Sequence, residues 1–312
     1  MKVLMFAPGQ EAIRAVLERH ESGSFVLSPF EGELERYNVV GELSEDAFWT
    51  SFGLADLPDV KSIESDEYQD KIKQALKAIE VNGLDKVVLS RTAMESSEGL
   101  HPKRSFENLI AAYPECTVFA LVHPEYGSWM GASPEILLAE EGKGFKSMSL
   151  AGTRLKGGQL WGAKEVEEQK WVTKEIQRTF KALGGTVKRT AVETLEAGPV
   201  EHLMNWVSSE DTPAEAIELL KQLHPTPAVC GTPRTVAKDL IHELEGYQRE
   251  LYTGFLAVLK PQVHAAVVLR AMRWGRDRVQ FFAGGGITKD SEPKSEWMET
   301  NHKVSALKDA LS

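Results

Sequence analysis

The 312-residue chain is 42% hydrophobic and 26% charged, the make-up of a globular protein with enough apolar residues for a large core. No apolar run approaches the ~20 residues of a membrane span, and a net charge of −10 argues against a general nucleic-acid binder. The opening MKVLMFAPGQEAIR lacks the long apolar stretch of a secretory leader, and Cys116 and Cys230 lie too far apart to indicate a disulfide framework or a metal knot, so the expected setting is reduced and cytoplasmic.

Residues 1–60 alternate short apolar runs (Phe25-Val26-Leu27, Tyr37-Asn38-Val39-Val40) with turn residues, which predicts a few strands. Over 66–82, Tyr68, Ile72, Ala75, Leu76 and Ile79 fall at helical spacing and the pattern stops at Gly83. The strand KVVLSR, 86–91, follows at once. A short helix is predicted over 105–113, ending before Pro114, then strands over 116–123, 129–139 and 144–150. Residues 162–183 carry a strong helical pattern closed by Gly184-Gly185, and 186–208 a pair of strands. Helices over 213–223 and 233–245 flank the turn-rich HPTPAVCGTP. Strands over 251–259, 263–274 and 277–283 lead to a terminal helix, with Ser291 suited to its N-cap and Pro293 to its first turn. Strands come in neighbouring groups with helices inserted between them, and no repeat or linker interrupts them. That is an α+β pattern with mostly antiparallel pairing, in one large domain rather than two.

The densest chemistry lies in FAGGGITKDSEPKSEWMETNHK, residues 282–303. Glu296 and Glu299 are three apart and Lys303 four further on, so all three share a helical face. Two carboxylates on one face can hold a hard divalent cation, and Mg²⁺ usually takes only one or two of them beside ligand and water oxygens. The lysine could hold an anion beside the cation, and the N–H groups of Gly284 to Gly286, read as a turn, could do the same. A solvated charged helix after a Gly-rich turn has the same pattern. Glu165 and Glu168, in KEVEEQKWV, repeat the spacing with the same alternative, and spacing alone does not make the two helices meet.

Lys86 heads an apolar strand. It is either a solvated edge lysine or a buried amine able to act as a base near neutral pH. Glu135, in GASPEILL, is either a turn glutamate or a carboxylic acid held among apolar groups, with its pKa raised so that it can donate a proton. Arg270 interrupts the apolar VVLRAMRW, and a buried arginine needs an anionic partner. His202 in EHLM and Tyr252 in RELYTG can be core or site residues. Gly152-Thr153-Arg154, in LAGTR, reads as a tight turn able to receive an anion.

Taken in order, KVVLSR, GASPEILL, LAGTR, the KExxE helix, HPTPAVCGTP, RELYTG, LRA and GGGI…SEPKSEWMET…K resemble the chorismate-utilising enzymes. These are the anthranilate synthase large component, aminodeoxychorismate synthase component I, isochorismate synthase and salicylate synthase. The resemblance runs from about residue 66 to the C-terminus and leaves 1–65 as a short, divergent N-terminal part. It implies an anthranilate synthase component I-like fold: a single catalytic domain, 1–312, of two packed, mostly antiparallel sheets with helices outside and a Mg²⁺ site between the sheets. Glu168 and Glu299 match the direct metal carboxylates, and Glu165 and Glu296 the neighbouring acidic positions. Tyr252, Arg270 and Lys303, with the backbone of Gly284 and Gly286, match the clamp on the enolpyruvyl carboxylate. Gly152 and Thr153 match a segment lining the site, and His202 the family's HL position.

Two positions narrow the implied reaction. Lys86 stands where isochorismate and salicylate synthases carry a water-activating lysine and anthranilate synthases a glutamine. Ala151 stands where one type of aminodeoxychorismate synthase carries a lysine nucleophile. The resemblance therefore implies chorismate to isochorismate, with Lys86 activating water for C2 and Glu135 protonating the departing C4 hydroxyl. The product would feed menaquinone or a catechol siderophore, and no glutamine amidotransferase, nucleic acid or membrane partner is implied. HPTPAVCG, with small residues at Ala228 and Val229, is similar to isochorismate synthases. A salicylate synthase, which goes on to eliminate pyruvate, is the alternative, and a catalytically silent chorismate-binding protein is a third. Gln169 stands where the family usually has histidine, Ser149 replaces a frequent proline, and the short N-terminal part leaves a tryptophan-type regulatory pocket unsupported.

Overall fold

The computed structural model describes residues 1–158, 160–197 and 200–312. The chain opens with β1 (Lys2–Phe6), β2 (Ile13–Arg19), β3 (Phe25–Ser28), β4 (Glu35–Glu42) and the short helix α1 (Glu45–Thr50). Helix α2 (Ser65–Asn82) ends at Gly83, whose φ of 64° is the left-handed conformation that closes a helix at no Cβ cost. Next come β5 (Lys86–Ser96), α3 (Pro102–Ala112), β6 (Thr117–His123), β7 (Gly127–Ser133), β8 (Ile136–Glu141) and β9 (Gly144–Leu155). After them stand α4 (Ala163–Ala182), β10 (Lys188–Arg189), β11 (Glu193–Ala197), β12 (Val200–Ser209), α5 (Ala216–Leu223), β13 (Gly231–Thr232) and α6 (Arg234–Glu245). The chain closes with β14 (Phe255–Val258), β15 (His264–Val267), β16 (Ala271–Trp274), β17 (Arg278–Ile287) and α7 (Pro293–Lys308).

All strand pairings among the described residues are antiparallel. They form one hydrogen-bonded path, β13-β5-β17-β16-β7-β6-β1-β2-β4-β3-β14-β15-β8-β9-β12, with β10 and β11 beyond β12. The expected two sheets are thus the two arms of a continuous ribbon, turning at β2 and β4. Side-chain alternation shows how the arms face each other. Val3 and Met5 of β1, Phe119 and Leu121 of β6, Phe25 and Leu27 of β3 and Leu256 of β14 share one inner core. Their neighbours point the other way. Leu4, Val118 and Ala120 pack under α1, α3 and α7, whereas Val26, Phe255 and Ala257 pack with α4 and α5. Helices α2 and α6 cover the end of β5. No helix among the described residues is long and apolar enough to cross a membrane.

Several elements differ from the sequence reading, and the differences build the site. The strand predicted over 129–139 is two, broken at Pro134 and Glu135, because the chain there leaves β7 in the first arm for β8 in the second. The strand predicted over 263–274 also breaks. It passes from β15 in the second arm to β16 in the first, with Arg270 at a φ of 47°. The strand predicted from 251 starts at Phe255, and the turn before it holds Thr253 at a φ of 63°. Gly152-Thr153 is a β-bulge inside β9 rather than a turn. Ala151 pairs with Leu203 and Arg154 with Glu201, which leaves two residues opposite His202 alone. Gly284 to Gly286 are part of β17, paired with Ser90, Leu89 and Val88 of β5. The segment 186–208 holds β10, β11 and most of β12, and its residues 198 and 199 lie outside the described set. The N-cap of α7 is Glu292, whose carboxylate accepts from the Ser295 N–H at 2.6 Å. The Ser291 hydroxyl instead accepts from the Thr288 N–H at 3.0 Å.

Candidate active site

The two arm crossings, the β9 bulge, the glycine stretch of β17 and one face each of α4 and α7 converge on one cavity, with about 900 Å³ free of protein atoms, mouth included. All the predicted site residues except Glu296 line it. Lys86, at the start of β5, is only 2% exposed, and its Nζ lies 3.0 Å from Glu168 Oε2. The side chain can lie across β17 because residue 286 is glycine. A Cβ there would stand 2.7 Å from both Lys86 Cε and Glu168 Oε2.

Glu135 sits at the first crossing, also 2% exposed, and its Oε1 accepts from the Thr226 hydroxyl at 3.4 Å. Burial pushes its carboxyl up to about 8, against the opposing pull of the Lys86 charge and the Thr226 hydrogen bond. At neutral pH it therefore carries a proton.

The acidic set is partly as expected. Glu168 and Glu296 are buried, and Glu299 is part-exposed beside Lys303. Among the described residues no three carboxylate, imidazole or thiol groups meet as a ready metal cluster. Ammonium groups stand between them instead: Lys164 bonds Glu296 and lies 3.8 Å from Glu168, and Lys303 bonds Glu299 at 2.7 Å. The donor set still fits a hard cation. Glu296 Oε2 is buried with no hydrogen-bond partner. It lies 3.1 Å from the point a Gly285 Cβ would occupy, and Glu299 Oε1 lies 3.9 Å from the same point. Burial and the Glu299 charge raise the Glu296 carboxyl above its ordinary range. Burial would raise Glu299 too, but the charge and hydrogen bond of Lys303, with Lys164, outweigh it and hold that carboxyl low. Glu165 lines the cavity, yet its Oε2 turns back towards Gly162 at its own helix start. Of the four acidic positions, Glu296 stands behind the wall and Glu165 points aside.

Basic and aromatic groups complete the lining. Arg270 Nη2 lies 3.0 Å from His202 Nε2, and His202 Nδ1 lies 2.8 Å from the Gly152 carbonyl. Burial, then the Arg270 charge, pushes His202 down to about 3, so the ring is neutral. Its Nδ1–H donates to the carbonyl and its Nε2 accepts from the guanidinium. Tyr252 stacks on Phe282 at 5.3 Å, and Phe282 on Trp129 at 5.0 Å. Lys303 donates to the Gly284 carbonyl at 2.7 Å. β16 pairs with β17 only as far as Phe281, so no described strand covers the far edge of the glycines.

Two contributors escaped the sequence reading. Lys164 was readable from its i,i+4 spacing to Glu168. Thr226 lay unremarked between the prolines of HPTPAVCG. Gln169 and Ser149, the two departures from the family pattern, prove to be partners: Gln169 Nε2 lies 3.3 Å from Ser149 Oγ and also bonds Asn205 and Thr173.

A folded-back antiparallel ribbon with helices outside is the fold of the chorismate-binding enzymes. The chain belongs to that family, whose model, described as chorismate binding enzyme, matches residues 47–312. It is 29% identical over 265 residues to the vibriobactin-specific isochorismate synthase of Vibrio cholerae, covering 80% of this chain and 67% of that protein. It is 30% identical over 269 residues to the salicylate biosynthesis isochorismate synthase of Pseudomonas aeruginosa, covering 81% of this chain and 56% of that one. The chain thus spans between about half and two thirds of those relatives' own lengths. The menaquinone-specific isochorismate synthase of Escherichia coli shares the fold, with a TM-score of 0.79 at 21% identity over 99% of this chain and 88% of that one. Anthranilate synthase component I of Streptococcus pneumoniae shares it at a TM-score of 0.69 and 21% identity, over 88% and 69%.

Proposed function

We propose that this chain is a stand-alone, Mg²⁺-dependent isochorismate synthase, acting as one catalytic domain over 1–312 in the cytoplasm and supplying a menaquinone or catechol-siderophore route. The observation that carries the reading is the pairing of a buried amine, Lys86, with a buried protonated carboxyl, Glu135, on the wall of one cavity. In its uncharged form, Lys86 Nζ takes a proton from the water that attacks C2 of chorismate. The ring double bonds shift, the C4–O bond breaks, and Glu135 gives its proton to the leaving hydroxyl, which departs as water. The proton on Nζ then returns to Glu135 through solvent, and both groups are restored.

Glu168, Glu299 and Glu296, with Glu165 beside them, would hold the Mg²⁺. Bound there, the cation supplies charge neutralisation for the ring carboxylate of the substrate. The rest is orientation by the chain itself. Arg270, fixed by His202, with Tyr252, Lys303 and the open backbone edge of Gly284 and Gly286, receives the enolpyruvyl carboxylate. The bulge at Gly152 and Thr153 closes the wall. Glu168 touches both Lys86 and Lys164, so it ties the base to the cation site.

Incubation with chorismate and Mg²⁺, without ammonia or glutamine, should yield isochorismate on chromatography. Release of pyruvate with a fluorescent product would replace this reading by a salicylate synthase, and binding without turnover by a silent chorismate-binding protein. Gly286→Ala should fold but lose turnover by about 100-fold, the usual cost of a displacement near 1 Å at a reacting group, because its Cβ would stand 2.7 Å from Lys86 Cε and Glu168 Oε2. Wild-type kinetics in that variant would remove Lys86 from the chemistry.

A further inference from the structure

We propose that the buried ion pair Arg249–Glu245 is a positioning device of the active site, pinning the strand that carries Lys86 to the turn that carries Thr226 and so setting Lys86 against Glu135. The proposal rests on the roles given above to Lys86 and Glu135. Glu245 is the last residue of α6, and Arg249 lies four residues on, ahead of Tyr252. Their side chains are 2% and 1% exposed. All five N–H groups of the guanidinium are used. Nε donates to Glu245 Oε2 at 2.8 Å, and Nη2 to Glu245 Oε1 and, at 2.7 Å, to the Val88 carbonyl. Nη1 donates to the Val229 carbonyl at 2.8 Å and to Thr253 Oγ1 at 3.2 Å. Glu245 Oε1 also accepts from the Ser90 N–H at 2.6 Å and the Ser90 hydroxyl at 2.8 Å.

The points of attachment explain the pair. Val88 and Ser90 follow Lys86 at every second residue of β5, so holding them fixes where the strand presents the amine. Val229 belongs to the turn that Thr226 closes, since the N–H groups of Val229 and Cys230 donate to the Thr226 carbonyl at 3.1 and 3.0 Å. Thr226 in turn bonds Glu135. One guanidinium therefore spans the backbone leading to the base and the turn leading to the acid. Stability alone is a weak reason for such a pair. Burying two charges costs about what their attraction returns, and well-packed apolar residues fill such a place as well or better. What apolar residues cannot supply is directional bonds to two carbonyls on separate segments.

The test replaces the pair by apolar residues of similar volume, Glu245→Leu with Arg249→Met, in the full chain. The double variant should keep the wild-type near-ultraviolet circular dichroism and a cooperative unfolding transition, with a lowered melting temperature because the Val88 and Val229 carbonyls and the Ser90 N–H lose these partners. Its kcat should fall about 100-fold with KM changed less than about threefold, the split expected of misplaced rather than missing contacts. Hydrogen–deuterium exchange should quicken at residues 86–90 and 226–232 and stay unchanged in α4. Arg249→Lys, which keeps the charge but loses the fork, should show the same quickening and serves if the double variant does not fold. Unchanged exchange, or wild-type kcat in either folded variant, overturns the proposal. Exchange is read without substrate, so a wild-type protein that fails to turn over chorismate sinks the functional reading and leaves this one still decided.

Discussion

Lys86→Ala is expected to stop isochorismate formation while chorismate still binds. The amine is 2% exposed at the wall of the cavity, against Glu168 of the acidic set, and no other described lysine shares both its burial and its place beside Glu135. Removing a general base typically costs 10²–10⁴-fold in turnover, and the upper part of that range is expected here because the cavity holds no second amine aimed at the same place. The carboxylate clamp proposed for Arg270, Tyr252 and Lys303 is untouched by the change, so calorimetric affinity for chorismate should stay within about threefold of wild type, as for a lost interaction made only in the transition state. Breaking a buried pair by removing one partner costs about 3–5 kcal/mol at most. Here Lys164, 3.8 Å from the other Glu168 oxygen, keeps part of the compensation, so the variant should fold. Lys86→Gln fills the space without a basic nitrogen and should be equally inactive towards water. Full activity in either variant, measured as isochorismate per minute at saturating substrate, removes Lys86 from the mechanism.

The face-sharing carboxylates were legible because helical spacing is a local property. Glu168 and Glu296 fall on the inner faces of α4 and α7 as their offsets require. That Glu165 folds back to Gly162 was not legible, since the tightness of the first turn depends on Gly152 of β9 lying against its Cβ. The strands over 129–139 and 263–274 each read as one, because residues on both sides of the break are buried and apolar whichever arm they join. Only pairing between distant strands decides where the chain changes arm. Those two changes place Glu135 and Arg270 at strand ends rather than in strands, free of the side-to-side alternation that would have sent one of them outward. The three glycines were read as a turn from composition. Their real role needed the partner strand: bare Cα positions on β17 give room for Lys86 and Glu168 on one face, at Gly286, and for Glu296 on the other, at Gly285, while the ladder to β5 continues along the edge. Arg249 went unnoticed inside RELYTG, where Tyr252 drew the functional reading, because a charged residue just after a helix is ordinarily solvated.

Glu135→Gln should be inactive in turnover and should also change how stability depends on pH. In the wild type, burial pushes this carboxyl up to about 8, so the free enzyme holds the proton it must donate at neutral pH and loses it above. The kcat/KM profile, which reports the free enzyme, should therefore show an alkaline limb with an apparent pKa near 8. The linkage has a definite sign. Between the unfolded value of 4.5 and about 8 the folded state binds more protons than the unfolded one, so this group's contribution is greatest below pH 4.5 and declines up to about pH 8. Each unit of the shift corresponds to about 1.4 kcal/mol. A neutral amide of the same shape carries no such penalty. The variant should thus melt near the wild-type temperature at pH 4.5 and above it at pH 9, with the gap opening between. A wild-type profile with no alkaline limb near pH 8 would mean that Glu135 is not the acid that titrates there, and a Gln variant whose melting temperature tracks the wild type at every pH would mean that Glu135 is already ionised at neutral pH. It could not then give a proton to the C4 hydroxyl, and another acid would have to be found on the same wall.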